Sequence, residues 1–168
     1  MNSPQLDLNA VQLLELKGMK VLPQHIDANG HMNVGFYNVI FDQALDELLK
    51  PLDLDWTYVQ RTNFSTFVLE THVCYLQEVL EGDNLRFTFQ LLNQDAKRLH
   101  YFLQMFQAEK GYLAATSEQL LVHVDLNTRR TCPFGDPHQQ KLAALLKAHS
   151  KLPWPERAGR SIGFARKA

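Results

Sequence analysis

The 168-residue chain suits a single domain of ordinary size, one able to bury about 70% of its unfolded surface without a disulfide or metal staple. With 45% hydrophobic and 21% charged residues it reads as globular. Its 17 Lys and Arg against 18 Asp and Glu, a net charge of −1, lack the basic surplus that nucleic-acid binding requires. The start, Met-Asn-Ser-Pro-Gln-Leu-Asp, has no basic segment and no apolar core, so no secretory signal is expected. No run of about 18 apolar residues marks a membrane span. Cys74 and Cys132 form neither a disulfide framework nor a C-x-x-C pair. A reducing, cytoplasmic setting is the expectation.

Asn9 with Gln12, followed by Val11, Leu13, Leu14 and Leu16, predicts a short amphipathic helix. A strand over 19–22 would follow, ended by Pro23. Residues 34–50 carry the strongest helical pattern, with Tyr37, Ile40, Phe41, Ala44, Leu45, Leu48 and Leu49 at three- and four-residue spacing. Asn33 can cap this helix and Pro51 stops it. Its apolar stripe is wide, as expected of a helix packed deeply on a sheet. From residue 66 the period becomes two, with Phe67, Leu69, Thr71, Val73 and Tyr75 as one alternating set. Glu81-Gly82-Asp83-Asn84 turns the chain into a strand carrying Leu85, Phe87, Phe89 and Leu91. Further strands are predicted over 99–107 and 112–125, joined by Glu109-Lys110-Gly111.

Four such strands imply an antiparallel sheet, and one long apolar helix precedes them. The fold class predicted is α+β, with about five antiparallel strands wrapped around a long central helix. Asp136-Pro137 opens a last helix through Leu142, Leu145, Leu146 and His149. Residues 1–150 are therefore read as the domain. Residues 151–168, with Lys151, Arg157, Arg160, Arg166 and Lys167 against Glu156 alone, are read as a basic, extended tail.

The densest group of reactive side chains is His25-Ile26-Asp27-Ala28-Asn29-Gly30-His31-Met32-Asn33, just before the long helix. A helix start offers unpaired N–H groups with partial positive charge, which suits an oxyanion. A carboxylate beside them can act as base or nucleophile. The same residues are also ordinary turn chemistry, with Asp and Asn bonding their own backbone. Spacing alone favours the turn.

The pattern Asp-x-Asn-x-His-x-Asn-x-x-x-Tyr, formed by Asp27, Asn29, His31, Asn33 and Tyr37, resembles the motif of hotdog-fold acyl thioesterases. Asp27 and Gly30 match the Asp-x-x-Gly of the 4-hydroxybenzoyl-CoA thioesterase-like branch, and the resemblance covers roughly residues 15–130. A narrower similarity links His25–Val34, Asp95–His100, Gly111–Thr116 and His123–Asp125 to bacterial betainyl-CoA thioesterases of carnitine catabolism. The resemblance implies a hydrolase without cofactor or metal, in which Asp27 is the catalytic carboxylate. It implies that the Val34 N–H polarises the thioester carbonyl while Asn29 and His31 orient the reacting groups. It also implies an acyl-CoA substrate and a homodimer or homotetramer with the site between subunits. A coenzyme A thiol leaves readily, since its pKa lies near the 8.5 or so of free cysteine, so no strong general acid is needed.

Asn33, Tyr37, Trp56, Phe64, Phe67, Glu70 and Arg98 are the expected substrate contacts. Trp56, Tyr58, Phe64 and Phe67 either cap the core or form an acyl pocket, which for betainyl-CoA would be an aromatic cage for trimethylammonium. Glu70 and His72 share a strand face and either approach the loop or are solvated. The pairs Lys97-Arg98 and Arg129-Arg130 either meet coenzyme A phosphates or face water. His123-x-Asp125 is a partial metal-ligand pattern lacking any companion, so no metal is expected. Two other functions fit the residues: a hotdog enoyl-CoA hydratase or dehydratase, disfavoured because Asn29-Gly30-His31 lacks a proline before the His, and a non-catalytic acyl-CoA binding module.

Overall fold

The computed structural model describes residues 7–164. Six strands and three helices follow one another as β1 (Leu14–Lys20), α1 (Val34–Leu49), α2 (Trp56–Thr62), β2 (Phe64–Tyr75), β3 (Asn84–Gln94), β4 (Arg98–Gln107), β5 (Leu113–Asp125), β6 (Arg130–Thr131) and α3 (Asp136–His149). The sheet is antiparallel, in the order β1-β3-β4-β5-β2, with β6 paired to β5. β3, β4 and β5 are a meander, whereas β2 sits at the far edge beside β5, so the chain crosses the sheet between β2 and β3.

α1 buries Tyr37, Ile40, Phe41, Ala44, Leu45, Leu48 and Leu49, the stripe its spacing predicts. The inner face of the sheet meets it with Leu85, Phe87, Phe89, Leu91, Leu99, Tyr101, Leu103 and Met105, all buried. Phe41 lies edge-on to Phe87 with ring centroids 5.9 Å apart, a favoured aromatic geometry. Polar groups on this face satisfy one another: the Tyr101 hydroxyl donates to Gln119 at 2.6 Å, and the Gln119 amide donates to Ser117 at 2.8 Å.

The predicted helix at 9–16 does not form. Leu14, Leu16 and Met19 instead pair with Phe89, Phe87 and Leu85 in β1, which starts five residues before the predicted strand. Gly18, at φ +95°, accommodates a bulge that carries the inward alternation past Lys17 to Met19. Around Val68/Glu70 a second bulge breaks the alternation of β2. Phe64, Thr66 and Val68 share the inner side with Thr71, Val73 and Tyr75, while Phe67, Glu70 and His72 fall on the outer side. α2, which the sequence pattern does not announce, is capped by Asp55 accepting from Tyr58 N–H, and it ends at Asn63 in the left-handed region.

The segment after α3 does not extend freely. Within the described residues it folds back on the outer sheet face, where Gln90 donates to the Pro153 carbonyl at 3.2 Å and Gly159 N–H donates to Glu118 at 2.7 Å. Arg166 and Lys167 lie outside the described residues.

Candidate active site

The loop from His25 to Asn33 closes on itself before α1 begins. Ile26 and Met32 form an antiparallel bridge, and Gly30 N–H donates to the Asp27 carbonyl at 3.0 Å across a turn with Gly30 at φ +83°. Asn33 N–H donates to the His25 carbonyl at 2.9 Å, and the Asn33 side chain caps α1 by accepting from Gly35 N–H at 2.9 Å. Turn chemistry and a site are therefore compatible here. Asp27 Oδ1 accepts Asn29 N–H at 2.8 Å, as a turn residue does. Asp27 Oδ2 is 3.4 Å from Asn33 Nδ2 and 3.8 Å from His31 Nε2.

Asp27, His31, Val34 and Tyr37 line one cavity of about 430 Å³ together with Met32, Tyr75, Leu76, Gln77 and Glu78. Val34 is the first residue of α1, so its N–H has no intrahelical acceptor and stands at the positive end of the helix dipole. A carboxylate and an electropositive amide thus share a cavity of a size that takes an acyl group. Tyr37 stacks edge-on to Tyr75 at 5.0 Å, and burial raises its phenol above the ordinary tyrosine range, so the hydroxyl stays a donor near neutral pH. Asn29 contributes its backbone N–H, while its residue is exposed at the tip of the turn.

Other expected contacts lie elsewhere in the described chain. Tyr58 and Phe64 belong to a buried cluster in which the Tyr58 hydroxyl and His123 Nε2 are 2.7 Å apart and His123 stacks on Phe64 and Phe134. Phe67 is on the outer sheet side under Arg129, whose guanidinium carbon is 5.6 Å from the ring. Glu70 and His72 do share a face, but the β2 bulge turns it away from α1, toward the folded-back segment. Arg98 is held by Asp95 at 2.6 and 2.8 Å, and its guanidinium keeps that carboxyl below the usual range. Trp56, 66% exposed, lines a separate cavity of about 140 Å³ with Asp42, Asp46 and Asp55. The gathering of Trp56, Tyr58, Phe64 and Phe67 is thus not one pocket, because α2 and the bulge send them in three directions.

His123, despite its spacing to Asp125, has both ring nitrogens engaged, by Tyr58 and by the Cys132 carbonyl at 3.1 Å. Among the described residues no group of three or more His, Cys, Asp or Glu is placed to hold a metal ion. No helix among them is long and apolar enough to cross a membrane.

Tyr75, Gln77 and Glu78 were not anticipated. They come from the end of β2 and the crossover after it, 45 residues beyond the loop. Val79, fully buried, pins that crossover, its carbonyl accepting Met32 N–H at 3.0 Å.

A helix inside a curled antiparallel sheet is the hotdog arrangement. The sequence profile of the thioesterase-like superfamily matches residues 21–142, and the chain belongs to that family. It is 39% identical to a betainyl-CoA thioesterase of Pseudomonas aeruginosa over 153 residues, 91% of this chain and 96% of that protein. It is 37% identical to an L-carnitine dehydrogenase/betainyl-CoA thioesterase of Rhizobium meliloti, covering 98% of this chain but 33% of that longer protein. A Staphylococcus aureus protein solved in complex with CoA superposes with a TM-score of 0.83 at 30% identity, over 92% of this chain and 96% of its own. A candidate thioesterase of Pseudomonas putida KT2440 superposes at 0.74 with 30% identity, over 98% and 99%. The protein is a thioester hydrolase of the acyl-CoA thioesterase class.

Proposed function

We propose that the protein hydrolyses a small cationic acyl-CoA, betainyl-CoA, with Asp27 as the reacting carboxylate. The observation that carries this reading is the shared cavity of Asp27 and the first amide of α1. In the general-base form, Asp27 takes a proton from water as the water oxygen attacks the thioester carbonyl. The Val34 N–H donates to the oxyanion, a contact worth about 3 to 4 kcal/mol of barrier. Collapse breaks the C–S bond, and the leaving thiolate recovers the proton held on Asp27. In the nucleophilic form, Asp27 attacks the carbonyl first and the C–S bond breaks to expel the thiolate. Water then cleaves the anhydride, returning the Asp27 carboxylate and the free acid while a proton of that water goes to the thiolate. A single turnover in oxygen-18 water separates the two, since label enters Asp27 only through the anhydride.

The names of the relatives support a betaine acyl group, and so does the Trp56 cavity. Burial, with Asp55 and Glu47 nearby, raises the Asp46 carboxyl above its ordinary range, an environment that a cation would relieve. Asp46 is twelve residues along α1 from Val34, about 18 Å within one chain. A homodimer closes that gap. β2 is a twelve-residue edge strand with exposed Phe67, Val68, Leu69 and Tyr75, the kind of edge that pairs. Antiparallel pairing of β2 with its copy would set Ser65 and Thr66, and the Trp56 cavity they line, against the end of the partner's β2. Two free cysteines fit a cytoplasmic setting.

The test is release of free thiol from a panel of acyl-CoAs. Betainyl-CoA is expected to give the highest kcat/KM. Higher values for neutral acyl-CoAs would refute the cationic substrate, and no release from any of them would refute hydrolysis.

A further inference from the structure

We infer that Glu78 is a positioning residue that fixes the orientation and tautomer of His31 toward Asp27. The inference deepens the hydrolase reading above and rests on it. His31 Nδ1 is 3.1 Å from Glu78 Oε2, while His31 Nε2 is 3.8 Å from Asp27 Oδ2. A carboxylate only accepts, so a neutral ring meeting Glu78 through Nδ1 carries its proton there. Nε2 then faces the cavity as an acceptor, 3.8 Å from Asp27 Oδ2, so that one water can donate a proton to each of them.

The backbone around Glu78 is held from two sides, so its side chain starts from a fixed point. The Tyr112 hydroxyl donates to the Glu78 carbonyl at 2.8 Å, and buried Val79 accepts Met32 N–H from the catalytic loop itself. Glu78 also lines the same cavity as Asp27, His31 and Val34. The carboxylate arrives from the crossover, not from the motif, which is why no spacing rule finds it. A partner that fixes the tautomer of a metal-bound histidine is worth about tenfold or more when removed, and a loss of that order is expected of Glu78 toward His31.

The experiment pairs enzyme kinetics with nitrogen-15 NMR of the His31 ring, identified by its loss in His31→Gln. With the ring neutral, the wild type is expected in the Nδ1–H form, because Glu78 accepts at that nitrogen. Glu78→Ala is expected to shift it toward Nε2–H and to lower kcat about tenfold with KM changed less than about twofold. In the His31→Gln background, Glu78→Ala is expected to cost nothing further, because the effect runs through the ring. An unchanged tautomer in Glu78→Ala, or an equal loss in both backgrounds, would overturn the assignment. Should wild-type protein release no thiol from any acyl-CoA, the hydrolase reading fails, while the ring tautomer still decides whether Glu78 governs His31.

Discussion

At the level of single residues, Asp27 Oδ1 is engaged by the Asn29 amide at 2.8 Å, and Oδ2 is left with two long contacts, 3.4 Å from Asn33 Nδ2 and 3.8 Å from His31 Nε2. Asn33 therefore links two functions, since its oxygen caps α1 and its nitrogen steadies the carboxylate. Asn33→Ala is expected to cost about 1 kcal/mol of stability in urea unfolding through the lost cap and to lower kcat as well. A loss of stability with kcat intact would show that the contact to Asp27 is idle. Trp56→Ala should cost betainyl-CoA about 30-fold in kcat/KM, the equivalent of about 2 kcal/mol of desolvated cation–π contact. Equal losses for betainyl-CoA and a neutral acyl-CoA would remove the cage. The Asp27, His31, Val34 and Tyr37 grouping was legible through the resemblance of a motif that one loop and one helix turn carry, since spacing alone favoured a plain turn. Glu78 and Tyr75 were not, because only the crossover of the chain brings them back to the loop.

At the level of elements, α1 was readable to within a residue because its apolar period, its Asn33 cap and Pro51 all agree. β1 and β2 were misread where a bulge resets the alternation, at Gly18 and around Leu69, since a period of two has no memory across an inserted residue. The bulge in β2 also turns Glu70 and His72 to the outer face, away from α1. The open edge of β2 gives the proposed dimer its test. A lysine at Leu69, 58% exposed on that strand, is expected to shift sedimentation toward the monomer and to lower kcat/KM for betainyl-CoA together with it. Dissociation with full activity would mean that each chain holds a complete site.

Across the whole molecule, two buried histidines tie distant parts of the chain. His149 Nδ1 accepts Leu91 N–H at 2.8 Å and its Nε2 donates to the Gln12 carbonyl at 3.0 Å, joining α3 to β3 and to the approach to β1. Burial lowers the pKa of His149 and of His123 below the ordinary histidine value. The unfolded chain therefore binds these protons more readily than the folded one. Stability contributed by the neutral rings is complete above about pH 6.5 and falls as pH drops through that value. Thermal unfolding between about pH 8 and pH 5 should show Tm declining, and His149→Gln should flatten the decline. A Tm independent of pH across that window would contradict the burial argument. None of this tie was legible in the sequence, where His149 read simply as the last apolar-face position of a helix.

The account stands or falls on Asp27, and the direct measurement is turnover and ligand binding of Asp27→Asn side by side. It is expected to lose kcat for betainyl-CoA by a factor on the order of 100 to 10,000, as for removal of a reacting base, while binding the acyl-CoA about as tightly as wild type in calorimetry. Turnover within a few-fold of wild type, with binding unchanged, would mean that the carboxylate beside the α1 amide does no chemistry.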